Sequence, residues 1–185
     1  MIDIHSHAIP FVDDGSSDLN TSLKILSAAE KEGIDRMVCT PHYRAGQFAA
    51  EKSVIEENFN LLVANNPTGI KLFLGQEITV DKTFTRLLKD GRLFTMNGTP
   101  FVLLEYPYFD RFEIAESVYE LSLLGFKPVV AHAERYEYLT EADVDDIASN
   151  GALIQINASS LFAPPFATFK RRAVKMLEKD AVSFV

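Results

Sequence analysis

The sequence predicts an α/β fold in which βα units surround a parallel sheet. Short apolar runs alternate with amphipathic stretches of helical spacing, six times over, before a last apolar run. Runs such as Phe101-Val102-Leu103-Leu104 are continuously apolar, as strands buried on both faces are. No linker rich in Gly, Ser or Pro divides the 185 residues, so a single domain over 1–185 is expected. Seven strands with helices between them fit either a (β/α) barrel or a doubly wound sheet.

Each element has its own signal. The first strand is Met1 to His7, followed by the acidic turn Asp13-Asp14-Gly15-Ser16-Ser17. Leu19, Leu23 and Leu26 lie at helical spacing in a helix from Leu19 to Glu32, with Ser17 or Asp18 to cap it and Gly33 to end it. Arg36 to Thr40 forms a strand that ends at Pro41-His42, and a helix from Phe48 to Val63 leads to a third strand, Lys71 to Glu77. A polar helix over Lys82–Lys89 precedes the strand Phe101–Glu105, and a helix over Phe112–Leu124 precedes the strand Lys127–His132. Thr140 with Asp143 three residues on is an acidic capping box for a helix closed by Gly151. Ala152–Asn157 is the sixth strand, Ala167–Glu178 the last helix and Ala181–Val185 the seventh strand.

Composition narrows the function. Eighteen Lys plus Arg against 26 Asp plus Glu give a net charge of −8, which speaks against nucleic acid as a partner. The lone Cys39 excludes an internal disulfide and a cysteine zinc site. The N-terminal residues have no basic segment followed by an apolar one, and no apolar run approaches the ~20 residues that cross a bilayer. A cytoplasmic protein without membrane insertion is expected.

The ligand-type residues fall at strand ends. His5 and His7 form an H-x-H pair, and positions i and i+2 of a strand face the same side, with Asp3 beneath them. His42 follows the second strand and His132 ends the fifth; Glu77 ends the third and Glu105 the fourth. Loops at the C-terminal strand ends build the active sites of parallel barrels, so these residues are expected on one rim. A carboxylate bordering an apolar strand is costly unless it is paired or metal-bound. A single histidine at a strand end is commonly a hydrogen-bonded loop residue, but four His and two such Glu on one rim point to metal. Imidazole and carboxylate without thiolate suit Mn, Fe, Zn or Mg, and more than four ligands imply more than one ion. Clustered ions generate hydroxide and clamp phosphoryl groups, which makes phosphoester hydrolysis the natural reaction.

These residues carry a resemblance. Met1-Ile2-Asp3-Ile4-His5-Ser6-His7 with Val12-Asp13-Asp14-Gly15-Ser16 resembles the opening of the PHP (polymerase and histidinol phosphatase) superfamily. Within it, the sequence resembles the bacterial manganese-dependent tyrosine-protein phosphatases of the CpsB/CapC capsule type. Thr40-Pro41-His42, Gly75-Gln76-Glu77, Glu105, His132-Ala133-Glu134-Arg135-Tyr136 and Ile154-Gln155-Ile156-Asn157 follow that family's later motifs in order. The resemblance implies a distorted (β/α)7 TIM-like barrel and three divalent ions, usually manganese. It implies that His5, His7 and Glu77 hold the first ion, that Glu77 bridges to a second completed by Glu105 and His132, and that Asp14 and His42 hold the third. Arg135 would grip the phosphate, and a metal-bridging hydroxide would attack phosphorus in line. The implied partner is a phosphotyrosine protein, namely a bacterial tyrosine autokinase controlling capsule or exopolysaccharide synthesis; homo-oligomers are compatible with it.

Two departures stand out. Ala133 replaces the family's usual Pro. The given sequence also ends at Val185, before the D-x-H motif that supplies one ligand each to the first and third ions, so the barrel is expected to be incomplete at its C-terminus, with weak metal retention and low activity. The alternatives are a histidinol-phosphate or other small-molecule phosphatase of the superfamily, and a metal-binding module inactive for want of those ligands. Among the remaining residues, Cys39 reads as a buried structural thiol and Lys170-Arg171-Arg172 as a solvated helix face. Phe162, Phe166 and Phe169 read as loop packing rather than a substrate mouth, and Tyr106 and Tyr108 as candidates to flank the site.

Overall fold

A computed structural model describes residues 1–108 and 110–185. The fold is α/β with parallel strand pairing, and the chain forms two compact units, Met1–Val102 and Leu103–Val185.

The first unit begins with β1 (Ile2–Ser6), α1 (Leu19–Lys31), β2 (Arg36–Cys39) and β3 (His42–Tyr43). It continues with α2 (Lys52–Asn65), β4 (Lys71–Leu74), β5 (Glu77–Thr79) and α3 (Phe84–Lys89). Asp18 is the cap of α1, its side chain accepting from Thr21 N at 2.9 Å, and Gly33 takes φ +86° just past the end. The 3.6-residue period turns Leu26 inward to pack with Ile9, Met37, Cys39, Ile55 and Leu62. Burying each such side chain contributes about 1.5–3 kcal/mol. Cys39 is the expected buried thiol, its pKa pushed up to about 12 by that burial.

Two expected strands break at the same level. β1, β2 and β4 run parallel as neighbours, whereas β3 pairs with β5, His42 opposite Glu77. The β2–β4 ladder ends where Gly75 N donates to Cys39 O at 2.9 Å. Pro41 has no N–H to extend it, and its carbonyl accepts from Glu77 N at 3.1 Å to start the second pair. Gly75 is needed at this crossing: a Cβ there would stand 3.0 Å from Val38 Cγ1 and 3.2 Å from Thr40 Cγ2. Glu77 therefore opens a strand rather than closing one. Phe48 is not helical; it exchanges backbone hydrogen bonds with Arg44 at 2.7 and 2.8 Å across a turn in which Gly46 has φ +78°. α2 accordingly starts four residues later than the apolar pattern suggests.

The chain enters the second unit through β6 (Phe101–Glu105). There follow α4 (Ile114–Leu123), β7 (Lys127–Val130), α5 (Glu141–Ser149), β8 (Leu153–Ile154), α6 (Ala158–Phe162) and α7 (Thr168–Glu178). Ala131 N donates to Leu104 O at 2.9 Å, and β7 pairs with β8 in parallel, Val130 opposite Ile154. The capping box of α5 is present in both directions between Thr140 and Asp143. Leu103, Leu104, Val118, Leu121, Val130 and Ile154 are buried. The expected last strand is a single parallel bridge, Gln155 to Phe184. No helix among the described residues is long and apolar enough to cross a membrane.

Candidate metal centre

In the first unit, β1 and the strand breaks aim four ligand-type side chains at one point. His5 Nε2 and His7 Nε2 lie 3.3 Å apart, as the i, i+2 spacing predicts. Glu77 is fully buried, and its Oε2 lies 3.2 Å from His5 Nε2, 3.2 Å from His7 Nε2 and 3.0 Å from His42 Nδ1. The break at Pro41 and Gly75 is what sets His42 and Glu77 side by side on paired strands. Asp14, largely exposed, lies 3.7 Å from His42 Nε2 and joins His42 and His7 in a second group of ligand atoms. Asp3 serves its own strand, accepting from His5 N at 3.0 Å, and burial pushes its carboxyl pKa up.

Asp13 is the residue that sequence reasoning passed over. Its Oδ2 accepts from His7 Nδ1 at 2.8 Å and from His42 N at 2.9 Å, and its Oδ1 accepts from Gly15 N at 3.0 Å. Burial opposes its charge, but these hydrogen bonds outweigh it and hold the carboxyl below the usual range. With the Nδ1 proton committed to Asp13, it is Nε2 of His7 that faces His5 and Glu77. Such a carboxylate behind an imidazole is the usual support of a metal ligand. The only sequence signal was the doubled acid of Asp13-Asp14-Gly15, which does not say which acid turns inward.

The donor set fits a divalent ion. Donors held ~2.1 Å from one ion stand ~3.0–3.4 Å from one another, the spacing of His5, His7 and Glu77 here. Two facing imidazole nitrogens and a carboxylate oxygen at that distance need positive charge between them. In the protein alone a proton supplies it: burial disfavours the His7 cation, yet Asp13 and Glu77 raise its pKa to about 10.

In the second unit, Glu105 and His132 are both buried, with His132 Nε2 3.9 Å from Glu105 Oε1. Tyr108 OH donates to Glu105 Oε1 at 2.8 Å and its ring stacks on His132. His132 has left-handed backbone, φ 34° and ψ 50°, an arrangement that persists only when neighbours hold it. Gln155 does so: its side-chain oxygen accepts from His132 N at 2.7 Å and its carbonyl from Ala133 N at 2.9 Å. A 3-10 turn, Ala133–Arg135, follows. Arg135 is 45% exposed, its Nε 3.9 Å from Glu134 Oε1. Glu134 is buried and accepts from Ser160 Oγ at 2.6 Å, which ties α6 to this turn.

Some expectations need correction. Tyr106 does not flank a site; it is 1% exposed with its hydroxyl on Ser117 Oγ, and burial raises its pKa. Phe162 and Phe166 do not pack a loop, being 87% and 82% exposed.

The family model described as capsular polysaccharide synthesis, CpsB/CapC, matches residues 1–185. The chain belongs to this family. It is 33% identical to tyrosine-protein phosphatase CpsB of Streptococcus agalactiae over 196 residues, covering all of this chain and 81% of that protein. It is 30% identical to tyrosine-protein phosphatase YwqE of Bacillus subtilis over 191 residues, covering all of this chain and 75% of that one. Among solved structures it matches one from work on YwqE of Bacillus subtilis and CpsB of Streptococcus pneumoniae, described as unique metal-dependent tyrosine phosphatases. That match has a TM-score of 0.91 at 28% identity, over 100% of this chain and 77% of the other. The CpsB/CapC resemblance drawn from the HxH, TPH, GQE and HAERY segments is thereby borne out.

Proposed function

We propose that this CpsB/CapC member is a metal-dependent phosphatase acting on phosphotyrosine in proteins, as its relatives' names describe for them. The observation that carries this reading is the meeting of His5 Nε2, His7 Nε2 and Glu77 Oε2 within 3.3 Å, with His7 oriented by Asp13. His5, His7 and Glu77 would hold one ion, Asp14 and His42 another, and Glu105 with His132 a further one. Manganese is the preferred identity. When bound, such ions lower the pKa of water and neutralise phosphoryl charge. The family's seven-stranded barrel, formed as one domain, and a cytoplasmic location belong to this proposal.

The chain's own residues do the rest. Asp13 keeps the His7 proton on Nδ1. Tyr108 holds Glu105 in one orientation through its hydroxyl. Gln155 fixes the strained His132 backbone. Arg135, partly exposed on the turn after His132, has the planar fork that suits a phosphoryl group. The phosphoprotein is assigned as a bacterial tyrosine autokinase serving capsule or exopolysaccharide synthesis.

The test compares a phosphotyrosine peptide, histidinol phosphate and p-nitrophenyl phosphate, with manganese and with chelator. Manganese-dependent preference for the peptide is expected, and Arg135→Ala should raise KM while metal content stays unchanged. Preference for histidinol phosphate, or hydrolysis indifferent to chelator, would overturn the reading.

A further inference from the structure

A phosphoprotein is an anionic substrate, and this chain carries a net charge of −8. Five of its 18 Lys and Arg residues nonetheless fall within ten positions: Lys170, Arg171, Arg172, Lys175 and Lys179. They lie on α7 and its end, and three of them are engaged. Lys175 and Lys179 both pair with Glu141, and Lys170 Nζ donates to Ala163 O at 2.8 Å. Arg171 and Arg172 have no ion-pair partner among the described residues. With Glu137, Thr168 and Lys175 they line a cleft of about 360 Å³.

This cleft borders the turn that carries Arg135. Glu137 on its wall is two residues beyond Arg135, α7 packs on the turn, and Ser160 of α6 is bonded to Glu134 within it. Arg172 is partly buried, which disfavours its charge, and Glu137 is the one acid on the wall to offset that. Two guanidinium forks on the helix that packs against the turn carrying Arg135 offer carboxylates bidentate partners. Phe162 and Phe166, exposed just upstream of α7, add an apolar margin.

We infer that the Arg171–Arg172 cleft docks an acidic, Asp- or Glu-bearing segment of the phosphoprotein next to the phosphotyrosine being hydrolysed. This inference rests on the function proposed above. The test uses p-nitrophenyl phosphate and two phosphotyrosine peptides, one with Asp and Glu flanks and one with Ser and Asn flanks, on the wild type and on Arg171→Ala/Arg172→Ala. The wild type should prefer acidic flanks, and the double variant should lose about three- to tenfold in kcat/KM on that peptide through KM. Rates on p-nitrophenyl phosphate and the neutral peptide should be unchanged, and 0.5 M salt should erase the preference. Equal losses on all three substrates, or no preference in the wild type, would overturn the inference. If the wild type hydrolyses none of them with manganese, the proposed function fails instead. Fluorescence polarisation of the labelled acidic peptide, with chelator present, then decides the cleft separately: binding weakened by the double substitution supports it, and equal binding overturns it.

Discussion

Asp13→Asn separates orientation of a ligand from ligation itself. Asp13 satisfies three N–H groups, on His7 Nδ1, His42 N and Gly15 N, at 2.8–3.0 Å. Asparagine keeps one acceptor oxygen and puts an amide N–H₂ where the other stood. If the oxygen faces His7 and His42, the amide meets the Gly15 N–H, and a buried donor left opposed costs about 1–3 kcal/mol. If the amide faces His7, the ring must accept at Nδ1, and its proton moves to Nε2, pointing at Glu77 where an ion would sit. Either way the charge behind His7 is lost. Loss of such a supporting carboxylate weakens metal binding about 10–100-fold, or about 1.4–2.8 kcal/mol. The assay is calorimetric titration of the metal-free variant with manganese, with circular dichroism melts to establish that it is folded. A folded variant that binds manganese as tightly as the wild type would refute the assignment of Asp13 and, with it, of His7.

Glu77→Gln should cost the most, more than 100-fold in manganese affinity, because the carboxylate faces three imidazoles; equilibrium dialysis would read it, and a smaller loss than in Asp13→Asn would contradict the ranking. Gly15→Ala should displace His7, since a Cβ there would stand 2.3 Å from His7 Cβ and 2.6 Å from His7 O; a folded variant with wild-type manganese affinity would show that the loop does not position His7. The His7 pKa, raised from 6.5 to about 10, gives opposite pH trends. The proton stabilises the metal-free protein fully below pH 6.5, and that contribution is lost as pH rises through about 10. Metal must displace the same proton, so manganese affinity should rise about tenfold per pH unit from 7 to 9; titration in buffers of different ionisation enthalpy should show a proton released, and proton uptake would contradict it.

Legibility of the sequence followed how local each signal was. The Thr140–Asp143 capping box and the glycines at 33 and 151 act within one turn, and the helices they bound stand as expected. The H-x-H pair needed only strand geometry. The break at Cys39–Pro41 and Leu74–Glu77 was hidden because the apolar run Leu72–Leu74 reads straight on into Gly75-Gln76-Glu77 as one strand; what interrupts it is the close approach of Gly75 to Val38 and Thr40, a contact between distant segments. Phe48 matched a helical period, yet its ring stacks on His42 at 5.6 Å, a tertiary role that outweighs local spacing. Asp13 and Asp14 are chemically alike, and only the fold of the turn buries one and exposes the other. Tyr106 follows Glu105 directly and Tyr108 stands three residues on, yet it is Tyr108 whose hydroxyl reaches Glu105, while Tyr106 is buried with its hydroxyl on Ser117, a tertiary choice that nearness in sequence does not reveal.

The most direct measurement is anomalous scattering at the manganese edge from crystals of the protein soaked in manganese. The account predicts a peak within ~2.4 Å of His5 Nε2, His7 Nε2 and Glu77 Oε2 together. A well-occupied manganese peak elsewhere, with these three side chains bare, would contradict it.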